Sequence, residues 1–175
     1  TNAIWAWEKL WTEDKTDLKA YESLAQLYRQ EERWTDLVEL HEEALPGLDE
    51  RATVDALQAI LEIQSLHLEM PERAFMTAGR LYRLKPEDIG AAQSLIDLGG
   101  SLGCVDEAVA ILEDQLDDIR DSRIRLSRLL QLGDLYHRTL KDLDEAEGAF
   151  ERALEIDPEC GEALDGLLRV AIDDE

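Results

Sequence analysis

The three histidines are the side chains in this sequence best suited to acid-base catalysis or zinc binding, and their spacing supports neither. His41, His67 and His137 lie far apart, and neither cysteine lies near one of them at the spacing of metal ligands. The run His41-Glu42-Glu43 lacks the second histidine of a zinc-protease helix. No phosphate-binding loop, nucleophile elbow or kinase signature occurs. The sequence therefore predicts no enzyme activity, no metal and no cofactor.

Carboxylates are the one abundant chemical group. The chain has 175 residues and a formal net charge of -23, from 41 acidic and 18 basic residues. Because phosphate binding needs clustered lysine and arginine, nucleic acid and anionic membrane surfaces are unlikely partners on charge alone. Two interpretations of the acidity stay open: a solvated exterior, which we favour, or a surface that attracts basic partners.

Apolar residues recur at helical spacing along the whole chain and predict an all-α protein of about ten helices. Strand-like alternation is not found in the sequence, and Pro46, Pro71, Pro86 and Pro158 mark turns. Short connections predict that consecutive helices pack antiparallel. The predicted helices span residues 2–12, 17–31, 34–46, 50–69, 71–84, 87–102, 105–118, 121–140, 142–156 and 160–173.

One pair of helices carries a distinctive pattern that recurs in weaker form. It reads Leu129-x2-Leu132-Gly133-x2-Tyr136, then Ala146-x3-Phe150-x2-Ala153-x4-Pro158. Three other copies place Leu37, Ala74 and Ala108 at the position of Ala146. Small residues there allow two helices to approach closely, so a large residue at Ala146 should cost about 1–3 kcal/mol through overpacking. His41 takes the place of an inward aromatic residue and is predicted to be a packed core histidine.

This pattern resembles the tetratricopeptide repeat. The resemblance implies a right-handed superhelical α-solenoid of antiparallel helix pairs, which forms a single array over residues 1–175. The expected divisions are a half-repeat at 1–16, repeats at 17–48, 49–86, 87–120 and 121–158, and a half-repeat at 159–175. The distance from Leu37 to Ala108 is 71 residues, and Ala74 to Ala146 is 72. This paired period resembles bacterial arrays with alternating long and short repeats, and we expect the chain to be part of a longer protein.

In tetratricopeptide arrays the first helix of each pair lines a concave groove that holds a peptide or a partner helix. The resemblance therefore implies a protein-interaction scaffold. Glu62, Asp97 and Asp134 fall at the same height on three consecutive first helices, and such a row would attract lysine or arginine of a basic ligand. The alternative, which we favour, is that these three positions are acidic by chance, because acidic residues are abundant throughout the chain. The predicted groove residues are Glu22, Gln26, Arg29, Gln58, Glu62, Gln93, Asp97, Asp134, His137, Arg138 and Arg169.

Two further hypotheses concern the same surface. The family's carboxylate clamp for chaperone tails needs lysine, asparagine and arginine on successive first helices, and these positions here hold other residues. Recognition of a chaperone tail is therefore disfavoured. Asp134, His137 and Arg138 share one helix face at spacings i, i+3 and i+4. This trio is either a self-satisfied surface cluster, the interpretation we prefer, or a pH-sensitive part of the groove.

The N-terminal helix suggests a competing function. Trp5, Trp7 and Trp11 lie within seven residues, and exposure of Trp5 and Trp11 would favour weak homodimer formation through this end. The alternative is that these rings pack against the next helix. A structural or self-assembly segment and a regulatory docking arm of a larger enzyme or sensor remain the rival functions. The two cysteines lie in turns of different repeats, which fits a reducing, cytoplasmic compartment.

Overall fold

The computed structural model describes residues 2–174, and every regular element in that range is helical. Ten α-helices follow one another through short turns in these described residues. They are α1 Asn2–Glu13, α2 Leu18–Gln30, α3 Trp34–Ala44, α4 Glu50–Leu66, α5 Pro71–Leu84, α6 Ile89–Leu102, α7 Val105–Asp114, α8 Ser122–Leu135, α9 Leu143–Ile156 and α10 Gly161–Asp173. We call α2, α4, α6, α8 and α10 the first helices and the others the second helices.

The chain divides into two compact units, unit 1 (Thr1–Leu81) and unit 2 (Tyr82–Glu175). In unit 1, α1 packs on α2, α2 on α3, and α3 on α4. In unit 2, α6 packs on α7, α7 on α8, α8 on α9, and α9 on α10, while α10 also contacts α8. Each unit is therefore a stack of antiparallel helix pairs, and together with the helical content this confirms the all-α solenoid that the sequence predicts.

Aspartate side chains begin the first helices. The carboxylates of Asp17, Asp49, Asp88 and Asp121 accept hydrogen bonds from backbone N–H groups in the first turns of α2, α4, α6 and α8. Such caps satisfy N–H groups that have no partner within the helix, and the negative charge also interacts favourably with the helix dipole. Part of the acidity of the chain thus fixes where its helices begin.

The repeat pattern singles out one residue on each of four second helices as a point of close packing. Leu37, Ala74, Ala108 and Ala146 are all fully buried, at 0 % exposure. Phe150 on α9 is also buried. All four positions are therefore buried, as close helix packing requires.

The helix ends differ from the predicted bounds where the chain turns. After α3, residues Leu45–Gly47 tighten into a 3₁₀ turn at Pro46, and after α7 residues Leu116–Asp118 do the same. The predicted helix 121–140 ends as an α-helix at Leu135, and Tyr136–Leu140 form a π-helical turn closed by Lys141 at φ 59°. A wider final turn shifts side-chain directions away from strict α periodicity.

Candidate binding surfaces on the first helices

The predicted groove residues of unit 1 lie on the solvent side of two first helices. Glu22, Gln26 and Arg29 are exposed on α2, and Gln58 and Glu62 are exposed on α4. Their backbones are held by packing on the opposite side of each helix, where Leu24 and Ile60 are fully buried. The two helices therefore present polar side chains to solvent on a rigid framework, as a binding surface requires.

Beneath this surface, a tyrosine and a histidine join α2 to α3. Tyr21 Oη lies 2.7 Å from His41 Nδ1, and His41 is only 6 % exposed. Burial, together with the positive charge of Arg29, lowers the pKa of His41 to about 4. Burial and the nearby charges of Glu22 and Asp55 raise the pKa of Tyr21. The prediction that His41 is a packed core residue is confirmed.

In unit 2, the predicted groove residues of α6 bind each other. Gln93 Nε2 donates a hydrogen bond of 2.8 Å to Asp97 Oδ1, one helical turn away, and both side chains are exposed. The bond leaves a second oxygen on Asp97 able to accept from a ligand. The acidic row as a whole remains a prediction, since Glu62 belongs to unit 1.

Helices α8 and α10 enclose a cleft of about 140 Å³, which we call the α8/α10 cleft. Its lining residues are Leu130, Asp134, Phe150, Glu162, Asp165 and Arg169. Arg169 Nη2 on α10 donates to Asp134 Oδ1 on α8 at 2.9 Å, and Arg138 Nε lies 3.6 Å from the same oxygen. These contacts pair the Asp134 carboxylate with two guanidinium groups and bridge the two helices.

Other carboxylates of the α8/α10 cleft differ from Asp134 in having no such partner. Glu162 and Asp165 are exposed on α10 and form no hydrogen bond or ion pair with another side chain in residues 2–174. Asp165 takes the position in its repeat that Glu22, Gln58 and Gln93 take in theirs, so the repeat pattern places it beside the predicted groove. The sequence pattern did not single out Glu162. The cleft therefore offers two free carboxylates next to an apolar floor.

The predicted trio of Asp134, His137 and Arg138 is not one cluster. Asp134 and Arg138 remain neighbours, but His137 is buried at 7 % exposure, and its Nε2 lies 2.8 Å from Asp173 Oδ2 on α10. The π-helical turn that begins at Tyr136 widens the helix, so i, i+3 spacing no longer places His137 beside Asp134. The prediction that His137 shares an exposed surface with Asp134 is corrected accordingly.

The N-terminal tryptophans also separate in the structure. Trp5 is 66 % exposed, whereas Trp11 is 5 % exposed and its indole Nε1 donates to Glu43 Oε2 at 2.8 Å. Trp11 also packs against the ring of Tyr21, with 6.0 Å between ring centroids. Trp11 is therefore an interior residue of unit 1, which corrects its place in the predicted self-association surface and leaves Trp5 there.

An aromatic pair that the sequence did not indicate lies between α3 and the end of α4. The rings of Trp34 and His67 stack with their centroids 3.9 Å apart and their planes within 12°. His67 is exposed at the C-terminal cap of α4. Only the register between α3 and α4 brings these rings together, so no local sequence spacing could have shown the contact.

Two searches of residues 2–174 concern other kinds of site. No group of three or more histidine, cysteine, aspartate or glutamate side chains in this range has the geometry to hold a metal ion. Within the same range, each helix is too short or too polar to cross a membrane.

Two family models for the tetratricopeptide repeat match the chain, at residues 20–53 and 126–160. The first match covers most of α2 and all of α3, and the second covers most of α8 and all of α9. The chain therefore contains tetratricopeptide repeats at these two segments. Both matched segments contain one first helix and the second helix packed on it, as the repeat pattern predicts.

Several solved structures resemble this chain at low identity. YrrB, described as a TPR protein with an unusual peptide-binding site, is 20 % identical over 94 % of this chain and 81 % of its own, with a TM-score of 0.47. MamA is 19 % identical over 89 % and 87 %, with a TM-score of 0.47. BtubC from P. vanneervenii is 16 % identical over 99 % and 80 %, with a TM-score of 0.49. A search of curated proteins returned no match.

These repeats indicate the general role of the protein. Tetratricopeptide repeats are protein-interaction modules, and the fold is typically non-catalytic. The protein is thus a protein-interaction scaffold, and its ligand must be inferred from the chemistry of its surfaces.

Proposed function

We propose that this scaffold binds a basic segment of a partner protein, an extended peptide or a helix, along the exposed faces of its first helices. The observation that carries this proposal is the α8/α10 cleft, where Glu162 and Asp165 stand free beside the apolar side chains of Leu130 and Phe150. A lysine or arginine of the ligand would meet the carboxylates, and an adjacent apolar side chain would contact the floor.

The pairing of Asp134 supports the proposal of a basic rather than an acidic ligand. Among residues 2–174, Arg169 is the one cation that lines the cleft. It already donates to Asp134, and Arg138 lies beside the same carboxylate. An acidic ligand would have to break that bridge and would face Glu162 and Asp165 as like charges. A basic ligand needs no rearrangement of the bridge.

Within each unit, other first helices carry exposed side chains that suit the same kind of ligand. In unit 2 these include Gln93 and Asp97 on α6, whose amide and carboxylate groups can bind a peptide backbone or a basic side chain. In unit 1 they include Gln26 on α2 together with Gln58 and Glu62 on α4, all exposed. Amide and carboxylate side chains of this kind suit an extended ligand, because they satisfy its backbone N–H groups.

The first experiment compares two matched double variants in fluorescence anisotropy titrations with labelled peptides. The probes are a lysine- and arginine-rich peptide of about twelve residues and a peptide in which glutamate replaces every basic residue. We expect Glu162→Gln with Asp165→Asn to weaken binding of the basic peptide by about three- to tenfold, from the loss of two exposed ion pairs. Glu151→Gln with Glu155→Gln on α9 removes the same charge from exposed residues outside the cleft.

Each outcome of this comparison is decisive. Equal weakening by both double variants would show that net charge alone attracts the peptide, and tighter binding of the acidic peptide would reject the proposal directly. The acidic row is tested separately by capturing partners with Glu62→Gln, Asp97→Asn and Asp134→Asn combined. A captured set that does not respond to these substitutions would reject the row as part of the site.

A second candidate function is self-association through the N-terminal end of unit 1. Trp5 is 66 % exposed and Leu10 44 % exposed on α1, so an apolar surface is available there. We propose sedimentation velocity over a range of concentrations, with Trp5→Ser as the variant. Concentration-dependent dimer formation that Trp5→Ser abolishes would support this function, whereas a monomer at every concentration would reject it.

We also propose a cytoplasmic location. Cys104 and Cys160, both half-buried, are free thiols in the structure, in agreement with a reducing compartment. Thiol titration of protein purified without reductant tests this point, because a disulfide between molecules or a blocked thiol would argue against it.

A further inference from the structure

A second cleft lies in unit 1, on the side of α2 opposite Glu22 and Gln26. It measures about 330 Å³ and is enclosed by α1, α2 and α3, and we call it the outer cleft. Leu24 and Leu40 form its buried floor. The residues that line it are Glu8, Trp11, Thr12, Lys15, Leu24, Tyr28, Asp36, Glu39, Leu40 and Glu43. Its volume is in the range of sites that hold small ligands or single side chains.

One end of the outer cleft holds a cation on an aromatic ring. Lys15 Nζ lies 5.1 Å from the centroid of the Trp11 ring, a distance typical of a cation–π interaction. The same ammonium group forms an ion pair with Glu43, which also accepts the hydrogen bond from Trp11 Nε1. Ring, carboxylate and cation thus form a single arrangement built from α1, α3 and the turn after α1.

The other end repeats this arrangement with different residues. Arg33 Cζ lies 4.6 Å from the centroid of the Tyr28 ring, and Tyr28 Oη donates to Glu8 Oε1 at 2.8 Å. Arg33 Nη1 lies 3.5 Å from Glu8 Oε1, and Arg33 Nε donates to Asp36 Oδ2 at 2.7 Å. Both ends of the cleft therefore already bind a cationic group of the chain itself, one an ammonium and one a guanidinium.

The carboxylates that line the outer cleft outnumber the cations beside them. The lining carboxylates are Glu8, Asp36, Glu39 and Glu43, and the cations beside them are Lys15 and Arg33. Glu39 is exposed and forms no hydrogen bond or ion pair elsewhere in the described part of the chain. The cleft can therefore accept a further positive charge, with Glu39 as its first acceptor.

We propose that the outer cleft binds an arginine side chain presented by an exposed segment of a partner protein. A guanidinium group is planar, stacks on aromatic rings and carries several donors in a fixed geometry, whereas an ammonium group is a compact and strongly hydrated charge. Glu39 and Glu43 lie one turn apart on α3 and can accept from the same guanidinium group. The incoming arginine displaces Lys15, which is largely exposed and free to turn into solvent.

This site is separate from the surface under the proposed function. It lies between α1 and α3, two second helices, and shares no residue with the first-helix faces of unit 1. A partner could contact both sides of α2, but either site can fail without the other. The outer cleft also consists of residues from unit 1 alone.

The test uses the full chain and short blocked peptides with the sequence Gly-Ser-Xaa-Ser-Gly, where Xaa is arginine, lysine or citrulline. Citrulline has nearly the shape of arginine and no charge. The readout is the assigned cross-peak of the Trp11 indole N–H group in two-dimensional NMR spectra of nitrogen-15-labelled protein. We expect saturable shifts at millimolar concentrations of the arginine peptide, binding at least about threefold weaker for lysine, and none for citrulline.

Substitutions then locate the peptide. Glu39→Gln should weaken binding by about fivefold, and Lys15→Gln should tighten it by a few-fold because it removes the competing cation. Glu72→Gln on α5 is an exposed control with the same charge change and should leave binding unaltered. All three side chains are exposed, so folding is expected to persist, and circular dichroism checks this.

Several results would overturn the proposal. Equal shifts with the arginine and citrulline peptides would show that charge plays no part, and equal binding of the lysine peptide would remove the selectivity for guanidinium. Weakening by Glu22→Gln in place of Glu39→Gln would assign the peptide to the first-helix surface. If Lys15→Gln and Glu39→Gln both leave the affinity unchanged, the outer cleft is excluded as the binding site.

Discussion

The ring of Phe150 lies between two glycines, and this contact yields a sharp prediction for Gly166→Ala. A Cβ placed on Gly166 would lie 2.6 Å from ring carbons of Phe150, and a Cβ on Gly133 would also lie 2.6 Å from them. Real Cβ atoms do not approach so closely, so the ring must move. Phe150 is 1 % exposed and has Gly133 on its other side, so retreat from one glycine brings it against the other.

The expected free-energy change combines two opposing effects. Overpacking of this kind costs about 1–3 kcal/mol. Alanine is about 1 kcal/mol more favourable than glycine inside a helix, which offsets part of that cost. Gly166→Ala should therefore destabilise the protein by up to about 2 kcal/mol, which lowers Tm by about 2–4 °C per kcal/mol in a chain of this size.

Gly148→Ala is the matched control. Gly148 lies inside α9, and a Cβ there meets no atom within 4 Å, so the variant gains the helix propensity without the clash. It should stabilise the protein by about 0.4–1 kcal/mol. The difference between the two variants, about 1–3 kcal/mol, isolates the cost of the Phe150 contact because both gain the same backbone preference.

The assay is urea unfolding followed by circular dichroism at constant pH, with thermal unfolding as a second measure. A smaller residue at position 150 should relieve the clash, so Phe150→Leu should cost less in the Gly166→Ala background than in the native chain. If Gly166→Ala proves as stabilising as Gly148→Ala, the glycines are not needed for the close approach, and the packing argument fails.

Three further predictions concern a buried histidine, a buried hydrogen bond and a helix cap. In the unfolded state His41 takes up a proton near pH 6.5, whereas in the folded state burial lowers its pKa to about 4. Stability should therefore fall as the pH drops through this interval, by about 2 kcal/mol at pH 5. Urea unfolding at pH 7 and pH 5 should show this loss in the native chain and not in His41→Gln. Thr77→Val should cost about 1–3 kcal/mol in the same assay, because it leaves the buried Gln64 Oε1 without its 2.8 Å hydrogen bond, and a neutral effect would contradict this. Asp17→Ala removes a cap that accepts from two backbone N–H groups of α2 and should lower stability by about 1 kcal/mol, whereas an unchanged urea midpoint would mean that the cap contributes nothing.

The helices and their contacts could be predicted because both follow from local spacing. A repeat of 3.6 residues identifies each helix, and a small residue at a fixed offset identifies the point of closest approach. Ala108 and Ala146 are fully buried for this reason. The ends of the helices were harder to predict from the sequence. The π-helical turn Tyr136–Leu140, for example, depends on how the chain turns into α9.

The partners of polar side chains could not be predicted, because they depend on the register between helices. His137 Nε2 bonds Asp173, which is 36 residues away, and Arg169 bonds Asp134 from 35 residues away. No spacing along one helix contains that information. The sequence correctly placed Asp134 and Arg169 on first-helix faces and could not show that they bind each other.

The meaning of the acidity follows from sorting the carboxylates by what they bind. Asp17, Asp49, Asp88 and Asp121 cap first helices, so these charges stabilise the fold and carry no information about a ligand.

Asp134 and Glu43 are paired with cations of the chain itself, which lowers the charge they can offer a partner. Glu39, Glu162 and Asp165 have neither role, and each lies in a cleft with an apolar floor. The sequence left open whether the negative charge is a solvated exterior or a surface for basic partners. Under the two proposals above, the unpaired carboxylates of the two clefts are the ones whose removal should change binding without changing the fold.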